Sequence, residues 1–232
     1  MRIRKKEEID LSIVMPCLNE EKTVGKCIDE ALGFISANGL CGEVIVVDNG
    51  STDDSAGISA RHGAVVIKET RRGYGRALRT GFAETRGRVV IMADCDTTYE
   101  LNDLSGIYKR LSSGRYDMVI GDRFAGGIER NAMPLSHKIG ARALSFIAGK
   151  VYKTNVKDFH CGLRGFTRKA LMKMKLRTTG MEFATETVAE AVRKGLKIGQ
   201  LPVRLRRCRY DRRSKLRAVR DGMRHLRYIF KK

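Results

Sequence analysis

The sequence predicts an α/β fold in which a mostly parallel sheet is flanked by helices. Runs rich in valine and isoleucine at 11–15, 43–48, 64–67, 89–93 and 117–121 have the length and composition of strands that are buried on both faces. Segments with apolar residues every three or four positions lie between these runs and predict amphipathic helices. Strands that alternate with helices in this way form parallel sheets, because each helix carries the chain back to the edge where the previous strand began.

The first three strands open the fold. LSIVM (11–15) is a buried strand that ends at Pro16, and an apolar stripe of helical period follows it over residues 20–35. EVIVVD (43–48) is the second strand, and the NGSTDDS segment after it is rich in residues that cap helices. AVVI (64–67) is a short third strand.

The fourth and fifth strands follow a glycine-rich turn. RRGYGRALRTGFAETRG leads into a helix that ends near Gly87, followed by the strands VVIMA (89–93) and DMVIG (117–121). GYG (73–75) either cradles a phosphate or only turns the chain into the helix, because the full G-x-x-x-x-G-K-[ST] signature is absent.

The second half of the chain predicts three further helices. Residues 134–152 predict an apolar helix that is too short to span a bilayer but long enough to lie in an interface. A further helix contains MEFATETVAEAV (181–192), and the tail from Ser214 has apolar residues at spacings of three and four with arginines between them, which predicts an amphipathic helix with a basic face. The residues of this tail stripe are Leu216, Val219, Met223, Leu226 and Phe230. We therefore expect a catalytic domain at 1–203, with 134–152 as an interfacial helix, and a basic loop and amphipathic helix at 204–232.

The charge predicts an anionic partner. The chain of 232 residues has a net charge of +20, and the segment 204–232 holds 13 Lys and Arg against two acidic residues. Nucleic acid, an acidic membrane surface and phosphorylated substrates all fit such a charge. Specific nucleic-acid binding is disfavoured, because aromatic residues make up only 6% of the chain and no RNA-recognition or zinc-finger signature is present.

The location of the protein also follows from composition. No apolar stretch reaches the roughly 18–20 residues that span a bilayer. MRIRKKEEID lacks the apolar core of a signal peptide, and the six cysteines show neither C-x-x-C pairs nor zinc-ligand spacing. We expect a cytoplasmic protein with reduced thiols, bound peripherally to the cytoplasmic face of the membrane if its anionic partner is a membrane surface.

Four polar loops follow predicted strands. PCLNEE, DNGSTDD, ADCDTTYE and GDRF each begin where a strand ends. In open parallel sheets, ligands bind beyond the carboxyl ends of the strands. The loops therefore predict a site for a nucleotide-type ligand at this edge.

The ADCDTTYE loop (93–100) contains two aspartates separated by one residue. Asp94 and Asp96 are either turn residues or ligands of a divalent metal ion. Closely spaced carboxylates suit the oxygen coordination that Mg²⁺ or Mn²⁺ requires. The position of this loop at the predicted ligand edge favours the metal site.

These motifs, in this order and spacing, resemble the family-two glycosyltransferases with the GT-A (Rossmann-like) fold. The similarity is in LSIVMPCLNEEKTVGKCI, VIVVDNGSTDDS, GYGRALRTGF, VVIMADCDTTYE and VIGDRF, and DFHCGLRGF, GMEFATE and the basic tail extend it. Together they resemble the polyprenyl-phosphate branch, which includes dolichyl-phosphate mannose and glucose synthases. The resemblance implies transfer of a sugar, with inversion, from a nucleotide diphosphate sugar to a polyprenyl or dolichyl phosphate, with GDP-mannose, UDP-glucose or UDP-GlcNAc as the donor.

The resemblance also implies roles for individual residues. Asp96, Arg123 and Arg142 correspond to catalytic positions, and Asp94, Asp96 and Thr98 to the metal site, although many relatives have glutamine at the position of Thr98. The implied contacts with the nucleotide sugar are Pro16, Leu18, Asn19, Glu20, Asp48, Ser51, Asp94, Cys95, Arg123, Arg209 and Lys215.

Several residues keep two interpretations. Arg164 either contacts the acceptor phosphate or braces its own segment through backbone carbonyls, and His160 is expected to be a structural hydrogen-bonding residue. Glu182 and Glu186 are four residues apart on one helix, and a solvated helix face is expected for Glu186. No general base is needed for a phosphate acceptor, because it is already an anion at neutral pH.

The means of membrane attachment and the acceptor also remain open. The basic tail either inserts its apolar stripe at an anionic membrane surface or packs on the catalytic domain, and a membrane-anchoring partner is a third possibility. The alternatives to a lipid acceptor are a GT-A enzyme with a non-lipid acceptor and a basic protein that binds nucleic acid.

Overall fold

The computed structural model describes residues 8–208, 210 and 218–231. In this part of the chain, seven strands form one sheet with the order β3-β2-β1-β4-β6-β5-β7. The strands are β1 Leu11–Cys17, β2 Gly42–Asp48, β3 Val65–Lys68, β4 Val89–Met92, β5 Met118–Asp122, β6 Arg164–Thr167 and β7 Ile198–Pro202. All neighbours are parallel except β6, which runs antiparallel to both β4 and β5. The expected α/β fold with a mostly parallel sheet is confirmed.

The helices cover both faces of the sheet. They are α1 Val24–Ala37, α2 Ser55–Arg61, α3 Tyr74–Glu84, α4 Ser105–Ser112, α5 Arg123–Gly126, α6 Leu135–Tyr152, α7 Arg168–Lys173, α8 Phe183–Arg193 and α9 Ala218–Phe230. None of the helices in the described segments combines the length and the apolar content that crossing a bilayer requires.

The core lies around the central strands. Every residue of β4 is buried, and β1 and β2 are buried except for Pro16 and Gly42, which are partly exposed. The first strand continues two residues beyond its predicted end. The ladder from β4 reaches only Val14, so the missing N–H of Pro16 falls where the β4 pairing has already stopped.

Two strands were missed by the sequence patterns. Both β6 and β7 are short, and β6 contains Gly165, where a Cβ would lie 2.7 Å from side-chain atoms of Ile107 and Leu111. This glycine lets α4 pack closely on β6. A sequence pattern could not reveal the insertion of β6 between β4 and β5, because the pairing depends on residues far apart in the chain.

The C-terminal helix packs on two of the helices that flank the sheet. α9 contacts α6 and α8. Its buried side chains are spaced four residues apart, at Asp221, His225 and Ile229, whereas Val219, Met223 and Phe230 of the expected apolar stripe remain exposed. The helix is therefore held by one face and exposes these three side chains on another, whereas Leu216 of the expected stripe lies outside the described residues.

Residues 204–208 also pack against the part of the chain that forms the sheet. The backbone N–H of Leu205 donates to the carbonyl of Gly127, and that of Arg206 donates to the carbonyl of Thr98. The described parts of the segment expected as a separate tail therefore contact the domain that begins the chain.

Candidate active site

A pocket of about 440 Å³ lies beyond the carboxyl ends of β1 and β4. Parallel neighbours end at the same edge of the sheet, so the loops after these strands meet there. The predicted residues that line this first pocket are Pro16, Leu18, Glu20, Asp94, Cys95 and Asp96. The structure thus brings together the PCLNEE and ADCDTTYE loops, which are about 70 residues apart in sequence.

The geometry of the aspartate loop is fixed by local hydrogen bonds. Thr98 donates to Asp96 Oδ1 through its backbone N–H at 3.1 Å and through its hydroxyl at 2.5 Å. Thr97 between them has φ of +63°, an uncommon conformation for a β-branched residue. The Thr97 N–H donates to Cys27 Sγ at 3.3 Å, which ties the turn to α1. Asp96 is only 6% exposed.

Asp94 is positioned by its neighbours in the pocket. The hydroxyl of Tyr74 donates to Asp94 Oδ1 at 3.2 Å. A Cβ at Gly162 would lie 2.1 Å from Asp94 Oδ2, so a glycine is required for this carboxylate to occupy its place. Burial raises the pKa of Tyr74 well above its ordinary value, and the negative charge of Asp94 adds to this effect. Tyr74 is therefore a neutral hydrogen-bond donor to Asp94.

The two aspartates fit a divalent cation that also binds a nucleotide diphosphate. Mg²⁺ commonly takes one or two protein carboxylates and completes its coordination with substrate phosphates and water. No cluster of three or more His, Cys, Asp or Glu side chains suited to a metal occurs in the described segments. Thr98 is placed as a donor to Asp96, so the structure gives it the role of orienting that carboxylate.

The loop after β2, which contains the expected nucleotide-sugar contacts Asp48 and Ser51, borders the first pocket only in part. Asn49 of this loop lines the first pocket, whereas Asp48 and Ser51 do not border the cavity. The Asp48 carboxylate accepts a hydrogen bond from the Ser51 N–H at 3.0 Å, and the Ser51 hydroxyl accepts one from the Asn19 N–H at 3.0 Å. Asn19, Asp48 and Ser51 therefore join the loops after β1 and β2 in this structure.

The first pocket also contains arginines that the motifs did not indicate. Arg72 precedes α3, and Arg220 and Arg224 come from α9. Arg224 pairs with Glu182 at 2.7 Å, and Arg72 donates to the carbonyl of Gly50 at 3.2 Å. Cationic side chains beside paired aspartates suit the oxygens of a diphosphate. Sequence reasoning missed Arg220 and Arg224, because only the docking of α9 brings its arginines to the sheet edge.

The glycine-rich turn borders the same pocket. Gly73 has φ of +148°, and a Cβ there would lie 2.3 Å from the carbonyl oxygen of Thr179. Gly73 precedes α3 and, with Tyr74, lines the first pocket. The turn therefore opens a helix and also borders the cavity, so the two sequence interpretations are compatible.

A second pocket of about 240 Å³ adjoins the first. The two pockets share Tyr74, Asp94, Met181 and Asp221. The walls of the second pocket come from α6, α9 and the loop before β6. A reacting group in this pocket would lie next to the aspartates that border the first.

Arg123 is the buried cation of the second pocket. It is 7% exposed and forms a two-pronged ion pair with Asp158, which is 0% exposed. The Nε–Oδ2 and Nη2–Oδ1 distances are 2.7 and 2.8 Å. Burial opposes the charge, but Tyr99 and Asp158 raise the net pKa of Arg123 well above its ordinary value. The guanidinium therefore remains charged and rigidly oriented.

Two histidines meet in the second pocket. The rings of His160 and His225 are 4.5 Å apart in an edge-to-face arrangement, and His225 Nδ1 lies 2.8 Å from the Thr185 hydroxyl. His160 Nδ1 lies 3.4 Å from Ser145 Oγ, whereas its buried Nε2 has no hydrogen-bond partner. Burial lowers the pKa of His160 well below its ordinary value and that of His225 to about 4. Both rings are neutral at pH 7.

Arg164 braces its own segment. It is 0% exposed and donates to the carbonyls of Phe159, Cys161 and Ala184. Its Nη1 also lies 2.5 Å from the Thr187 hydroxyl. These bonds use its guanidinium within the protein, as the structural interpretation predicts.

The expectation of a solvated face for Glu186 is wrong. Glu186 is 2% exposed and accepts hydrogen bonds from the N–H groups of Arg177 and Thr178 and from the Thr178 hydroxyl. The loop before α8 folds back over the helix, and the carboxylate satisfies its backbone donors. A helical period cannot show this, because the donors come from outside the helix.

Three further predicted residues lie apart from the two pockets or outside the described residues. The Arg142 guanidinium lies 4.6 Å from the centre of the Phe124 ring and lines a different depression. Gly140, Ala141 and Leu144 are the neighbouring α6 residues that face the second pocket. The structure therefore does not bring Arg142 together with Arg123 and Asp96. Arg209 and Lys215 lie outside the described residues.

Comparison with known proteins identifies several relatives. A low-salt glycan biosynthesis hexosyltransferase of Haloferax volcanii is 36% identical over 94% of this chain and 52% of its own length. A dolichyl-phosphate hexose transferase of the same organism is 30% identical over 84% of this chain and 82% of its own. The chain spans 52% and 61% of the lengths of the hexosyltransferase and of another relative, the glycosyltransferase AglJ.

Solved structures share the fold. Glucosyl-3-phosphoglycerate synthase from Mycobacterium tuberculosis, in complex with Mn²⁺, UDP-glucose and phosphoglyceric acid, matches with a TM-score of 0.76 at 22% identity. That match covers 95% of this chain and 79% of the other. The sheet and its flanking helices are therefore of the GT-A type.

The sequence model of the family described as Glycosyl transferase family 2 matches residues 12–175. This span runs from β1 to the end of α7, and it contains both aspartates and Arg123. With the relatives named above, the match shows that this chain belongs to glycosyltransferase family 2.

Proposed function

We propose that this protein transfers a hexose, with inversion, from a nucleotide diphosphate sugar to the phosphate of a polyprenyl or dolichyl lipid. The observation that carries the proposal is the pair of adjoining pockets that share Asp94 and Tyr74. The first pocket has the loops and cations for a nucleotide diphosphate, and the second has a buried cation, Arg123, for the acceptor phosphate.

The first pocket binds the donor in this proposal. The PCLNEE loop and Asn49 border the nucleotide, and Arg72 and Arg220 provide positive charge near its diphosphate. Asp94 and Asp96 hold the divalent cation, Mg²⁺ or Mn²⁺. When bound, this cation stabilises the negative charge that develops on the departing diphosphate.

The second pocket orients the acceptor. The guanidinium of Arg123, fixed by Asp158, pairs with the acceptor phosphate and aims one of its oxygens at the anomeric carbon. The new bond joins that oxygen to the anomeric carbon, and the bond from this carbon to the diphosphate oxygen breaks on the opposite face. The phosphate is already ionised, so no proton has to be removed. Neutral His160 and His225 are consistent with this chemistry.

The helices around the second pocket favour a lipid acceptor. α6 and α9 both border the pocket. They also carry exposed apolar side chains, and a polyprenyl chain leaving the pocket could lie along them. These side chains are Leu135 (72% exposed), Ile139 (61%), Val219 (82%) and Met223 (47%). We propose that this surface holds the protein peripherally at the cytoplasmic face of a membrane, by itself or with a membrane-anchoring partner.

A small phosphorylated acceptor is the second candidate. The structural neighbour from Mycobacterium tuberculosis was solved with phosphoglyceric acid, and a pocket of about 240 Å³ is large enough for a small molecule. The exposed apolar residues of α6 and α9 favour the lipid.

The test is a transfer assay with purified protein, Mn²⁺ and a panel of UDP- and GDP-sugars. One arm contains polyprenyl phosphate and the other phosphoglyceric acid, and products are identified by mass spectrometry. A glycolipid in the first arm supports the proposal, whereas product in the second arm alone overturns the lipid acceptor. Asp96→Asn is the control, because it should abolish metal-dependent transfer while the fold, measured by circular dichroism, is kept.

A further inference from the structure

A third depression, of about 900 Å³, lies beside α6 and shares no lining residue with the two pockets of the candidate active site. Among the residues that the structure describes, four cationic side chains line it, and Asp122 is the one acidic residue that does so. The cations are Arg142, Lys150, Lys153 and Lys157. We call this feature the α6 basic depression.

The acidic lining residue is already engaged. Asp122 Oδ1 accepts hydrogen bonds from the N–H groups of Phe124 and Ala125 at 2.9 and 3.1 Å and so caps α5. None of the four cations forms an ion pair with a described carboxylate. The depression therefore keeps an excess of positive charge for an external anion.

The dipole of α6 does not account for this cluster. Cations in the last turn of a helix are favoured by its C-terminal carbonyls, and Lys150 occupies such a position. Arg142 lies more than two turns earlier, and Lys157 lies five residues beyond the end of α6. Their convergence on one depression is a tertiary arrangement.

Aromatic rings fix two of the cations. The Arg142 guanidinium lies over the Phe124 ring at 4.6 Å, and Lys150 Nζ lies 5.7 Å from the centre of the Phe146 ring. A guanidinium held in this way presents two donors to the oxygens of a phosphate. Phe146 itself is 67% exposed, so an apolar surface borders the charged one.

The apolar side chains along α6 indicate the source of the anion. Leu135, Ile139, Arg142 and Phe146 are spaced by four, three and four residues, so they lie on one stripe of the helix. Leu135 and Ile139 are 72% and 61% exposed. Cations beside exposed apolar side chains match a lipid, whose phosphate and acyl chains are adjacent. A free phosphate would make no contact with the apolar stripe.

We infer that the α6 basic depression binds the headgroup phosphate of an anionic phospholipid and so orients the enzyme on the bilayer. This inference rests on the proposed function in one respect, the placement of the enzyme at a membrane. It gives Arg142 a role outside the reaction, and it assigns Lys150, Lys153 and Lys157 to lipid binding.

The test compares two triple variants that remove the same charge. Lys150→Gln/Lys153→Gln/Lys157→Gln alters the depression. The control, Lys169→Gln/Lys173→Gln/Lys194→Gln, alters exposed lysines that line none of the three cavities. Binding to vesicles of phosphatidylcholine, with and without phosphatidylglycerol, is measured by co-sedimentation. Thermal unfolding checks that both variants are folded.

We expect the depression variant to lose on the order of 100-fold in affinity for vesicles with phosphatidylglycerol, because each lysine near an anionic surface contributes about a factor of five. The control should lose no more than about threefold. Equal losses in the two variants would show an effect of net charge alone and overturn the inference, as would no loss in either.

Two further arms separate the possible outcomes. Inorganic phosphate is titrated without lipid, and binding as tight as that to vesicles, lost in the depression variant, would overturn the assignment to a lipid. Transfer to a short, water-soluble prenyl phosphate should be the same in the depression variant and the wild type. If the wild type shows no transfer to any prenyl phosphate, the proposed function fails, whereas the vesicle result still decides the inference.

Discussion

Replacing Asp158 with asparagine should destabilise the protein and reduce its transfer activity together. Asp158 is 0% exposed and Arg123 is 7% exposed, so their ion pair is shielded from water. The substitution keeps the shape of the side chain but removes its charge, and it leaves the Arg123 guanidinium buried without a counter-ion. Breaking a buried pair from one side costs about 3–5 kcal/mol of unfolding free energy.

This loss is large enough to measure in two ways. For a chain of this size, each kcal/mol shifts the Tm by about 2–4 °C, so the Tm should fall by about 6–20 °C. Urea unfolding followed by circular dichroism gives the free energy directly. The control is Arg61→Gln, which breaks the exposed ion pair with Asp54 and should cost at most about 1 kcal/mol.

A double variant separates stability from function. Arg123→Met/Asp158→Leu replaces the ion pair with apolar side chains and should recover part of the unfolding free energy, because no buried charge remains. The N–H groups of Arg123 and His160 still lose Asp158 as their acceptor, so the recovery is incomplete. It should not recover transfer, because the cation for the acceptor phosphate is gone. A loss below about 1 kcal/mol in Asp158→Asn would refute the reasoning on burial. An active double variant would refute the role of Arg123.

Three other predictions follow from single contacts. Burial lowers the pKa of His225 from 6.5 to about 4 in the folded protein, so the unfolded chain takes up the proton first as the pH falls. The stability that is present above pH 6.5 is therefore lost towards pH 4. His225→Asn should flatten this decline by up to about 3 kcal/mol in urea titrations, and an unchanged slope would contradict it. Gly162→Ala should displace Asp94 and weaken Mn²⁺-dependent binding of a nucleoside diphosphate, measured by calorimetry with UDP and with GDP. Gly33→Ala, with nothing within 4 Å of the added Cβ, should not weaken it, and equal affinities of the two variants would contradict the prediction. Glu186→Gln should cost about 1–3 kcal/mol in urea unfolding, because a buried N–H or hydroxyl loses its acceptor, and wild-type stability would exclude that role.

The sequence determined the elements that depend on local patterns. The five predicted strands lie within a few residues of their observed positions, because a buried strand is a continuous apolar run whatever its neighbours are. The ADCDTTYE loop could be placed at the ligand edge for a similar reason, since the carboxyl ends of parallel strands meet there. The order of the motifs was sufficient to indicate the family, which the comparisons confirm.

The tertiary structure decided which side chains face each cavity. Arg142 and Gly140 are two positions apart on α6, yet they border different cavities, because successive residues of a helix point about 100° apart. Arg123 and Asp158 belong to two motifs that are 35 residues apart in sequence, and the motifs did not indicate that these two residues form a pair. The local sequence pattern shows neither the cavity that Arg142 borders nor the partner of Arg123. Each depends on how α6 and the loop before β6 dock on the sheet.

The tail shows the same division most clearly. Its sequence predicts an amphipathic helix, and α9 is helical from Ala218 to Phe230. Only the fold decided that Asp221, His225 and Ile229 would be the buried face. The exposed apolar stripe is the more hydrophobic side, but the docked face has partners for its polar groups in Thr185 and in the His160 ring. Specific partners, which the periodicity of a sequence does not encode, thus oriented the helix.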